Sequence, residues 1–434
     1  MASFSIPLTG LKADSTALNT IANNLSNMNT TAFKSESTNF SDLFYQQVGA
    51  TGAGDPIEVG AGTQVANTEI NFTDGTPNST GVATDVALQG NGFFVAGNGT
   101  GSYELTRAGN FSMDSNGNLV TSNGLSVMGY PAANGVVNTN APLAAINIPV
   151  GQVQKPQATT TLGMTANLDA TSAAGTQFPA QIKVFDSLGE PHLVNITFNQ
   201  ESTPATPNTW GYSVSLPASD YAGTAPAAIT GTMTFDASGN LASINPNGPT
   251  GPTGPVTVGA AAGDASSIPL GFGGLADGAS NLSINWNLLG SGATPDISQV
   301  DTTSAVSATT QDGYASGQYQ SFTINSDGTI TASYSNGQQQ NVGQLALANV
   351  ANLQGLQLLG DGDYRTTQAS GTAAISTSGT SGLATLQDGA LEASNVNISS
   401  EFSNLIIAQR AFEANAKSVT TFDTVTQDTI NMVH

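Results

Sequence analysis

The stretch from Asn395 to Val433 constrains this chain most, because it lacks glycine and proline in a protein that has 49 and 19 of them. Apolar residues recur along it with heptad spacing, which predicts a helix of about 55–60 Å with a coiled-coil seam. We expect Ser399 and Ser400 to cap its start. The first row is Ile398, Leu405, Phe412, Val419, Thr426 and Val433, and the second row is Phe402, Gln409, Ala416, Asp423 and Ile430.

A second helix is predicted near the N-terminus, where Pro7 suits a first helical turn. The run Asn27-Met28-Asn29 suits its end. Its apolar residues also follow heptad spacing, with Leu11, Leu18 and Leu25 in one row and Ile21 and Met28 in the other. Both ends of the chain are therefore predicted to be helical.

The middle of the chain, from about residue 70 to 385, is predicted to be β, since short runs of Val, Ile, Phe and Thr alternate with turn residues. One turn pattern occurs at 111–119, 235–241 and 322–330, and each copy places Asp or Asn and Gly between apolar strands, which is typical of hairpins. Segments 47–66 and 369–382 are predicted to be flexible connectors, and the Gly/Pro-rich segment 244–278 is predicted to be a loop.

The charge of the chain excludes several classes of protein. It has 30 acidic and 8 basic residues and a net charge of −22, whereas nucleic acids and anionic membranes are bound by clustered Lys and Arg. We therefore expect no nucleic acid and no membrane as a partner. No run of 18 apolar residues predicts a membrane span, and no basic segment precedes an apolar run as in a cleaved signal peptide.

The sequence contains few residues of the types that carry catalysis or bind metals, and we predict no catalytic residue, cofactor or metal. The chain has no cysteine and only two histidines, which excludes thiolate metal sites and most histidine-based catalysis. Segments 114–118 and 361–363 resemble fragments of calcium loops, but plain turns account for them better, since the first lacks the distal glutamate of an EF-hand. His192 is expected on the surface or in a turn, and Gly90-Asn-Gly92 in a tight hairpin. Paired carboxylates for glycoside hydrolysis stay an open alternative, because such pairs converge only in space.

The terminal helices admit two interpretations. They can pack within one molecule, on each other or on the β middle, or they can form a layer between molecules. Glycine-rich connectors separate both from the β middle, and two helices alone form a small core. We favour the intermolecular interpretation, because repetition of the helices over many subunits buries their apolar rows.

Several motifs resemble those of the rod/hook family of bacterial flagellar axial proteins. The N-terminal segment 10–34 resembles the family signature, from which Met28 and Ala32 depart. Segments 391–396 and 408–415 resemble the C-terminal signature of the family. Segments 88–94, 106–111 and 129–131 resemble the β core shared by hook and distal rod proteins. Segment 184–189, together with His192 and Trp210, resembles the outer domain of hook proteins.

The resemblance implies a mixed fold, in which long terminal α-helices form a coiled-coil layer and two mainly β middle domains follow, one inserted in the other. The implied domains are a terminal helical domain (1–30 and 395–434), connectors (31–70 and 383–394), an inner β domain (71–150 and 306–382) and an outer inserted β domain (151–305).

The resemblance also implies a function, that of a structural subunit of the flagellar hook, a curved hollow tube that acts as a universal joint between motor and filament. A distal rod or hook-associated axial protein is the nearer alternative, and a secreted carbohydrate-binding or hydrolytic β protein is the more distant one. Implied partners are further copies of the chain, the distal rod protein, the hook cap protein, the hook–filament junction protein and the flagellar type III export apparatus. Export without cleavage would place the chain in the extracellular hook.

The resemblance assigns residues to two tasks. The implied export signal is Phe4 and Leu8. The implied polymerisation interface consists of Leu11, Leu18, Ile21, Leu25, Met28, Ile398, Phe402, Leu405, Phe412, Ala416, Val419 and Ile430.

Overall fold

The structure is a computed structural model that describes residues 5–52, 54–97, 101, 103–247, 254–259, 261, 264–290, 292–380 and 382–432. One helix lies near each end of the chain and β-strands lie between them, which confirms the predicted order of elements. The chain divides into two compact units, the first formed by 1–150, 320–333 and 339–434 and the second by 151–319 and 334–338. Among the described residues, no helix has the length and hydropathy needed to cross a membrane.

The helices are α1 (Ser5–Ser26) and α2 (Ile398–Met432). At 1.5 Å per residue they are about 33 and 52 Å long. The amide of Ser400 donates to Asn397 Oδ1 at 3.2 Å, which is the geometry of an N-cap. The prediction that Ser399 and Ser400 cap this helix is therefore wrong, since both lie inside its first turn.

The first unit begins with α1 and continues through short strands. Segment 31–70, treated above as a connector, contains two antiparallel strand pairs, β1 with β4 and β2 with β3. The strands are β1 (Glu36–Asp42), β2 (Gln46–Ala50), β3 (Pro56–Val59), β4 (Thr63–Ile70), β5 (Pro77–Ser79), β6 (Val86–Gln89), β7 (Phe93–Gly97), β8 (Tyr103–Thr106), β9 (Ser112–Met113), β10 (Leu119–Val120), β11 (Ser126–Ala133), β12 (Val136–Val137) and β13 (Ala144–Ala145).

The second unit follows with longer strands and a short 3-10 helix at Ala218–Asp220. Its strands are β14 (Val153–Gln154), β15 (Thr161–Asp169), β16 (Gln177–Phe185), β17 (Pro191–Gln200), β18 (Thr209–Ser215), β19 (Ile229–Phe235), β20 (Leu241–Pro246), β21 (Val256–Thr257), β22 (Ser267–Phe272), β23 (Leu282–Asn287), β24 (Ile297–Val300) and β25 (Ala305–Gln311).

Two sheets of the second unit share one core. One sheet runs in the order β16-β17-β18-β19-β20-β21, and the other in the order β22-β23-β15-β24, with β25 also on β15. Burial alternates along β23, as expected for a strand with one face in a core, and the fully buried Trp210 and Trp286 contribute to that core. Because β25 pairs with β15 over six residues, it lies in this unit although it extends past residue 305.

The chain then returns to the first unit, whose sheet combines strands from both halves of the sequence. Neighbours in that sheet run β27-β28-β11-β7-β8-β30-β29, and β6 pairs with β32 and β5 with β33. Its core includes Phe93 and Tyr364, with ring centroids 5.4 Å apart. The strands are β26 (Gly317–Ile324), β27 (Thr329–Tyr334), β28 (Gln339–Asn349), β29 (Gln357–Gly360), β30 (Asp363–Arg365), β31 (Ala374–Thr377), β32 (Thr385–Asp388) and β33 (Ala390–Glu392).

The repeated turn pattern forms hairpins, as predicted. Asp114 Oδ1 accepts the amides of Asn116 and Asn118 at 2.8 Å each, and Gly117 adopts the positive φ of +82° that glycine allows at no steric cost. At Gly90-Asn-Gly92 the hairpin prediction is wrong, because β6 pairs with β32 whereas β7 pairs with β8, β11 and β28.

Candidate assembly surface

The two helices pack against each other in an antiparallel pair. Asn415 Nδ2 donates to Asp14 Oδ2 at 2.8 Å, whereas Ile21 shares a groove with Asn404, about ten residues earlier in α2. A Cβ atom at Gly10 would lie 2.7 Å from Asn415 Nδ2, so glycine allows the helices to approach here. The terminal helices thus meet within one molecule, which was the first of the two interpretations.

Most predicted interface residues of the heptad rows are at least half-buried within the molecule. Ile21 is buried, and the half-buried members are Leu11, Leu18, Leu25, Leu405, Phe412, Ala416 and Val419.

At two positions of the second row predicted for α2, the covered residue is the one before the predicted residue. Gln409 and Asp423 are exposed, whereas Ala408 is buried and Asn415 and Phe422 are half-buried. Leu405, Ala408, Phe412, Asn415, Val419 and Phe422 alternate by three and four, which is the spacing of a helix seam. This row starts at Leu405 rather than Ile398. It shares Leu405, Phe412 and Val419 with the predicted first row, so heptad spacing alone does not distinguish the two. Asn415, rather than Gln409 or Asp423, makes a polar contact from α2 to α1.

A second apolar face of α2 is left uncovered within the molecule. Ile398, Phe402 and Ile406 recur at intervals of four and are 46%, 52% and 58% exposed. Exposed apolar stripes of this kind mark interaction sites. Of the predicted interface residues, Met28 and Ile430 are also exposed, and the sequence analysis missed Ile406, Ile407, Val425 and Met432, all of them exposed.

A groove runs beside the helix pair and β1. Ile407 and Phe40 line it and are 67% and 48% exposed, and Ile21 and Ala408 form its buried floor. Glu36 and Glu401 add carboxylates to the same groove. The groove therefore combines uncovered apolar side chains with acidic ones.

The side chain of Asn24 fixes α1 to the strand pair that follows it. Asn24 Nδ2 donates to the carbonyl of Glu36 at 2.7 Å, and its Oδ1 accepts the Glu36 amide at 2.9 Å. One turn earlier, Thr38 Oγ1 donates to Thr20 Oγ1 at 3.0 Å. Asn24 is 1% exposed, so these bonds are made away from solvent. They hold the helix end on β1.

A buried ion cluster joins the two ends of the chain to the β sheet of the first unit. Lys34 Nζ lies 2.6 Å from Glu392 Oε1, and Arg107 Nε lies 3.1 Å from Glu392 Oε2. Arg107 also binds Asp74 at 2.5 Å. Lys34 follows α1 and Glu392 precedes α2, so one carboxylate holds both helix connections.

Hydrogen bonds complete this cluster. Arg107 Nη1 donates to the carbonyls of Gly90 and Gly92 at 2.8 and 2.9 Å, and Lys34 Nζ donates to the carbonyl of Thr73 at 2.8 Å. Burial, together with the nearby Arg107 charge, lowers the pKa of Lys34. Lys34, Arg107 and Glu392 each lie within a family motif, but their contact was not predicted from the sequence. The one available hint was that Lys34 and Arg107 are two of only eight basic residues in the chain.

Asn395 ties the start of the last helical segment to the same region. Its Oδ1 accepts the amide of Ser35 at 2.8 Å, and its Nδ2 donates to the carbonyls of Asn71 and Thr73 at 2.8 and 3.0 Å. The segments next to both helices are therefore held by side chains rather than left as free linkers.

Of the two residues of the predicted export signal, the structure describes Leu8 alone. Phe4 lies outside the described residues. Leu8, in the first turns of α1, is 60% exposed.

His192 is buried at 6% exposed, so its expected place on the surface or in a turn is wrong. Its Nδ1 lies 2.8 Å from Asp220 Oδ2 and its Nε2 lies 3.4 Å from Asp186 Oδ2. Burial opposes protonation of the ring, but the hydrogen bond to Asp220 and the nearby Asp186 carboxylate outweigh it and raise the pKa of His192. Asp220 is far enough away in sequence that no motif predicted this contact.

Four family models match segments of the chain. They are the Flagella basal body rod protein model at 7–34, the Flagellar hook protein FlgE/F/G D1 domain at 87–166, the Flagellar basal body protein FlaE D2 domain at 154–314 and the Flagellar basal body rod FlgEFG protein C-terminal model at 387–432. The matches include both helices and both compact units.

Curated relatives align over nearly the whole chain. The flagellar hook protein FlgE of Salmonella typhimurium is 35% identical over 99% of this chain and 100% of its own, and that of Treponema pallidum is 35% identical over 98% of each. The crystal structure of the Helicobacter pylori flagellar hook protein FlgE2 superposes with a TM-score of 0.52 over 73% of this chain and 100% of that one. At 15% identity this likeness concerns the fold alone. Given full-length relatives at this level of identity, the chain belongs to the flagellar hook protein family.

Proposed function

We propose that this chain is a structural subunit of the bacterial flagellar hook, which assembles with copies of itself into a curved hollow tube. The observation that carries the proposal is the uncovered apolar face of α2 at Ile398, Phe402 and Ile406. A second copy of the chain is its proposed occupant, since family membership implies a homopolymer. In the tube the subunits act as a universal joint that passes motor torque to the filament.

The proposed inner layer of the tube consists of residues 1–30 and 395–434, packed as a coiled-coil layer of many subunits. The antiparallel α1–α2 pair supports this proposal, because one seam already joins the helices in each molecule and a second apolar face of α2 is free to join neighbours. Segments 31–70 and 383–394 are proposed as connectors to an inner β domain (71–150 and 306–382), with the outer β domain (151–305) inserted in it.

The proposed partners lie along the assembly route. They are the distal rod protein at the base, the hook cap protein during growth, the hook–filament junction protein at the tip and the flagellar type III export apparatus. We propose export without a cleaved signal, with Phe4 and Leu8 as its recognition residues, which places the mature chain outside the cell.

Electron microscopy of the purified, polymerised chain tests the function. We expect short curved tubes, and straight rods or a failure to polymerise under any condition would favour the rod or hook-associated alternative. A secreted carbohydrate-active protein is the remaining alternative. It predicts glycan binding or cleavage by the chain without its helices, and a hook subunit predicts neither.

Helix deletions test the inner layer. Removing residues 398–434 spares Asn395, which bonds to Ser35, Asn71 and Thr73. The remaining chain keeps both β cores and is expected to fold and to stay monomeric. Tubes formed by this truncated chain would contradict the proposed layer.

A further inference from the structure

We propose that the second unit contains a binding site for a divalent transition-metal ion, formed by Asp186, His192 and Asp277. One donor atom from each of these residues lies within 4.8 Å of the other two. The inference does not depend on the proposed function, because all three ligands belong to a single unit of a single chain.

The fold of the second unit brings these residues together from two places. Asp186 follows the last residue of β16 and His192 is the second residue of β17, so the turn of one hairpin supplies both. Asp277 comes from the loop that precedes β23. Asp186 and His192 are buried and Asp277 is exposed, so the cluster opens to solvent on one side, which gives an ion a path to it.

The histidine is oriented as a metal ligand. Its Nδ1 lies 2.8 Å from Asp220 Oδ2, which directs Nε2 toward Asp186. A carboxylate on the far nitrogen of a ligating histidine is the usual outer-shell arrangement, because it fixes the tautomer and the ring direction. Asp220 is a positioning residue in this site.

The carboxylates are oriented in the same way. Asp186 Oδ1 accepts the amides of Leu188 and Glu190 at 2.8 and 2.9 Å, which leaves Oδ2 facing His192. Asp277 Oδ1 accepts the amide of Ala279 at 3.0 Å. Each carboxylate therefore has one oxygen held by the backbone and one available.

The distance between the ligand atoms fits a shared ion better than a direct bond. His192 Nε2 and Asp186 Oδ2 are 3.4 Å apart, beyond the 2.7–3.2 Å range typical of N–H···O bonds. Two ligands about 2.0–2.2 Å from one tetrahedral ion lie about 3.3–3.5 Å from each other. The observed separation lies in that range.

The charge of the cluster also calls for a cation. Asp186 and Asp277 have donor oxygens within 4.8 Å of each other, and Asp220 adds a third carboxylate. Among the salt bridges of the described residues, neither Lys nor Arg reaches Asp186 or Asp220, whose partner is His192. Three carboxylates around one imidazole leave the cluster with a net negative charge, which a bound divalent ion would offset.

The ligand set points to zinc-like ions rather than calcium. One imidazole nitrogen and two carboxylate oxygens, with water in a fourth position, suit Zn²⁺ or Co²⁺. Calcium prefers six to eight oxygens, which this site does not offer.

Binding of Zn²⁺ to the full chain, stripped with EDTA and kept monomeric, tests the site by isothermal titration calorimetry. We expect about one ion per chain, with binding weakened at least tenfold in Asp277→Asn and His192→Gln. Asp220→Asn is expected to weaken binding about 10-fold to 100-fold, as for other outer-shell carboxylates. Co²⁺ should give visible d–d absorption bands in the wild type that His192→Gln removes.

Two variants serve as controls. Asp301→Asn changes an exposed carboxylate of the same unit, and His434→Gln removes the other histidine of the chain, so both should retain full binding. Asp277 is exposed, and its variant is expected to keep the wild-type circular dichroism spectrum even if His192→Gln does not fold. Absence of Zn²⁺ binding, or binding that survives Asp277→Asn, would overturn the site without bearing on hook assembly.

Discussion

At the residue scale, the buried cluster around Glu392 is the main electrostatic feature of the first unit. One carboxylate bonds to both Lys34 and Arg107, and the side chains of all three are at most 4% exposed. A buried charge left without its partner is strongly destabilising. The cluster therefore fixes how the chain leaves α1 and enters α2, because neither cation can move without losing its counter-ion.

Glu392→Gln is expected to lower the free energy of unfolding of the first unit by about 3–5 kcal/mol, since Lys34 and Arg107 would lose a shared buried carboxylate. Urea denaturation followed by circular dichroism measures the change. Glu413→Gln is the matched control. It breaks the exposed pair with Arg410 and should cost less than about 1 kcal/mol. Equal effects of the two variants would contradict a structural role for the cluster.

Asp363 should make stability depend on pH. Burial raises the pKa of its carboxyl above the usual value of about 3.9 in the folded chain, although a hydrogen bond from Asn123 opposes this. The native state therefore keeps its proton at pH values where the unfolded state has lost it. Its contribution to stability falls as pH rises from about 3.9 through the raised pKa.

Asp363→Asn is expected to remove this dependence, because the amide cannot ionise and still offers an oxygen to Asn123. Melting temperatures should be measured from pH 3.5 to 7. The melting temperature of the variant relative to that of the wild type should rise as pH rises. Asp428→Asn, an exposed change in α2, should show no such trend. A difference between Asp363→Asn and wild type that does not vary with pH would count against the assignment.

At the element scale, α2 has two apolar faces with different tasks. The seam containing Leu405, Ala408 and Phe412 packs on α1, whereas the face containing Ile398, Phe402 and Ile406 is uncovered. A single heptad count does not separate the faces, because they lie side by side on one helix. Substitutions on the two faces therefore have different expected outcomes.

Phe402→Asp is expected to leave the monomer folded, with unchanged circular dichroism, and to block polymerisation, because assembly would bury an unpaired charge. Leu405→Asp is its counterpart on the seam. It should separate α1 from α2 in the monomer and lower helical circular dichroism before assembly is tested. Normal tubes formed by Phe402→Asp would exclude this face from the interface. Thermal melts of both variants provide the measure of monomer stability.

At the scale of the whole molecule, the net negative charge lies in the middle of the sequence, whereas the helices proposed to assemble lie at its two ends. Residues 1–30 carry no net charge and 395–434 carry −2, which leaves −20 of the total −22 between them. Lys34 and Arg107, two of the few cations in that middle, are buried in the ion cluster. The buried carboxylates of Asp186, Asp363 and Glu392 offset these two cations. The exposed surface of 31–394 therefore keeps nearly all of the −20.

Salt is expected to promote polymerisation, because repeated acidic surfaces repel one another and ions screen that repulsion over about 10 Å at 0.1 M. Light scattering at fixed protein concentration should show faster assembly as NaCl rises from low concentrations. Sodium sulfate at matched ionic strength would separate screening from strengthened apolar burial. Assembly that weakens steadily with salt would contradict this view of the surface.

The sequence by itself determined the order of elements and their chemistry. Heptad spacing reflects helix geometry, and short runs of Val, Ile, Phe and Thr between turn residues are typical of strands, so both terminal helices and the β middle could be predicted. The turns at Asp114 and Asp236 could be predicted as well, because their hydrogen bonds are local.

The tertiary structure decided what depends on residues far apart in the chain. Which face of α2 is covered depends on α1, nearly 400 residues away, and Glu392 meets Lys34 and Arg107 across 358 and 285 residues. The same holds for His192, which bonds to Asp220 across 28 residues and lies near Asp277. Local sequence patterns do not predict such long-range contacts, because these side chains are brought together by tertiary packing and not by their spacing along the chain.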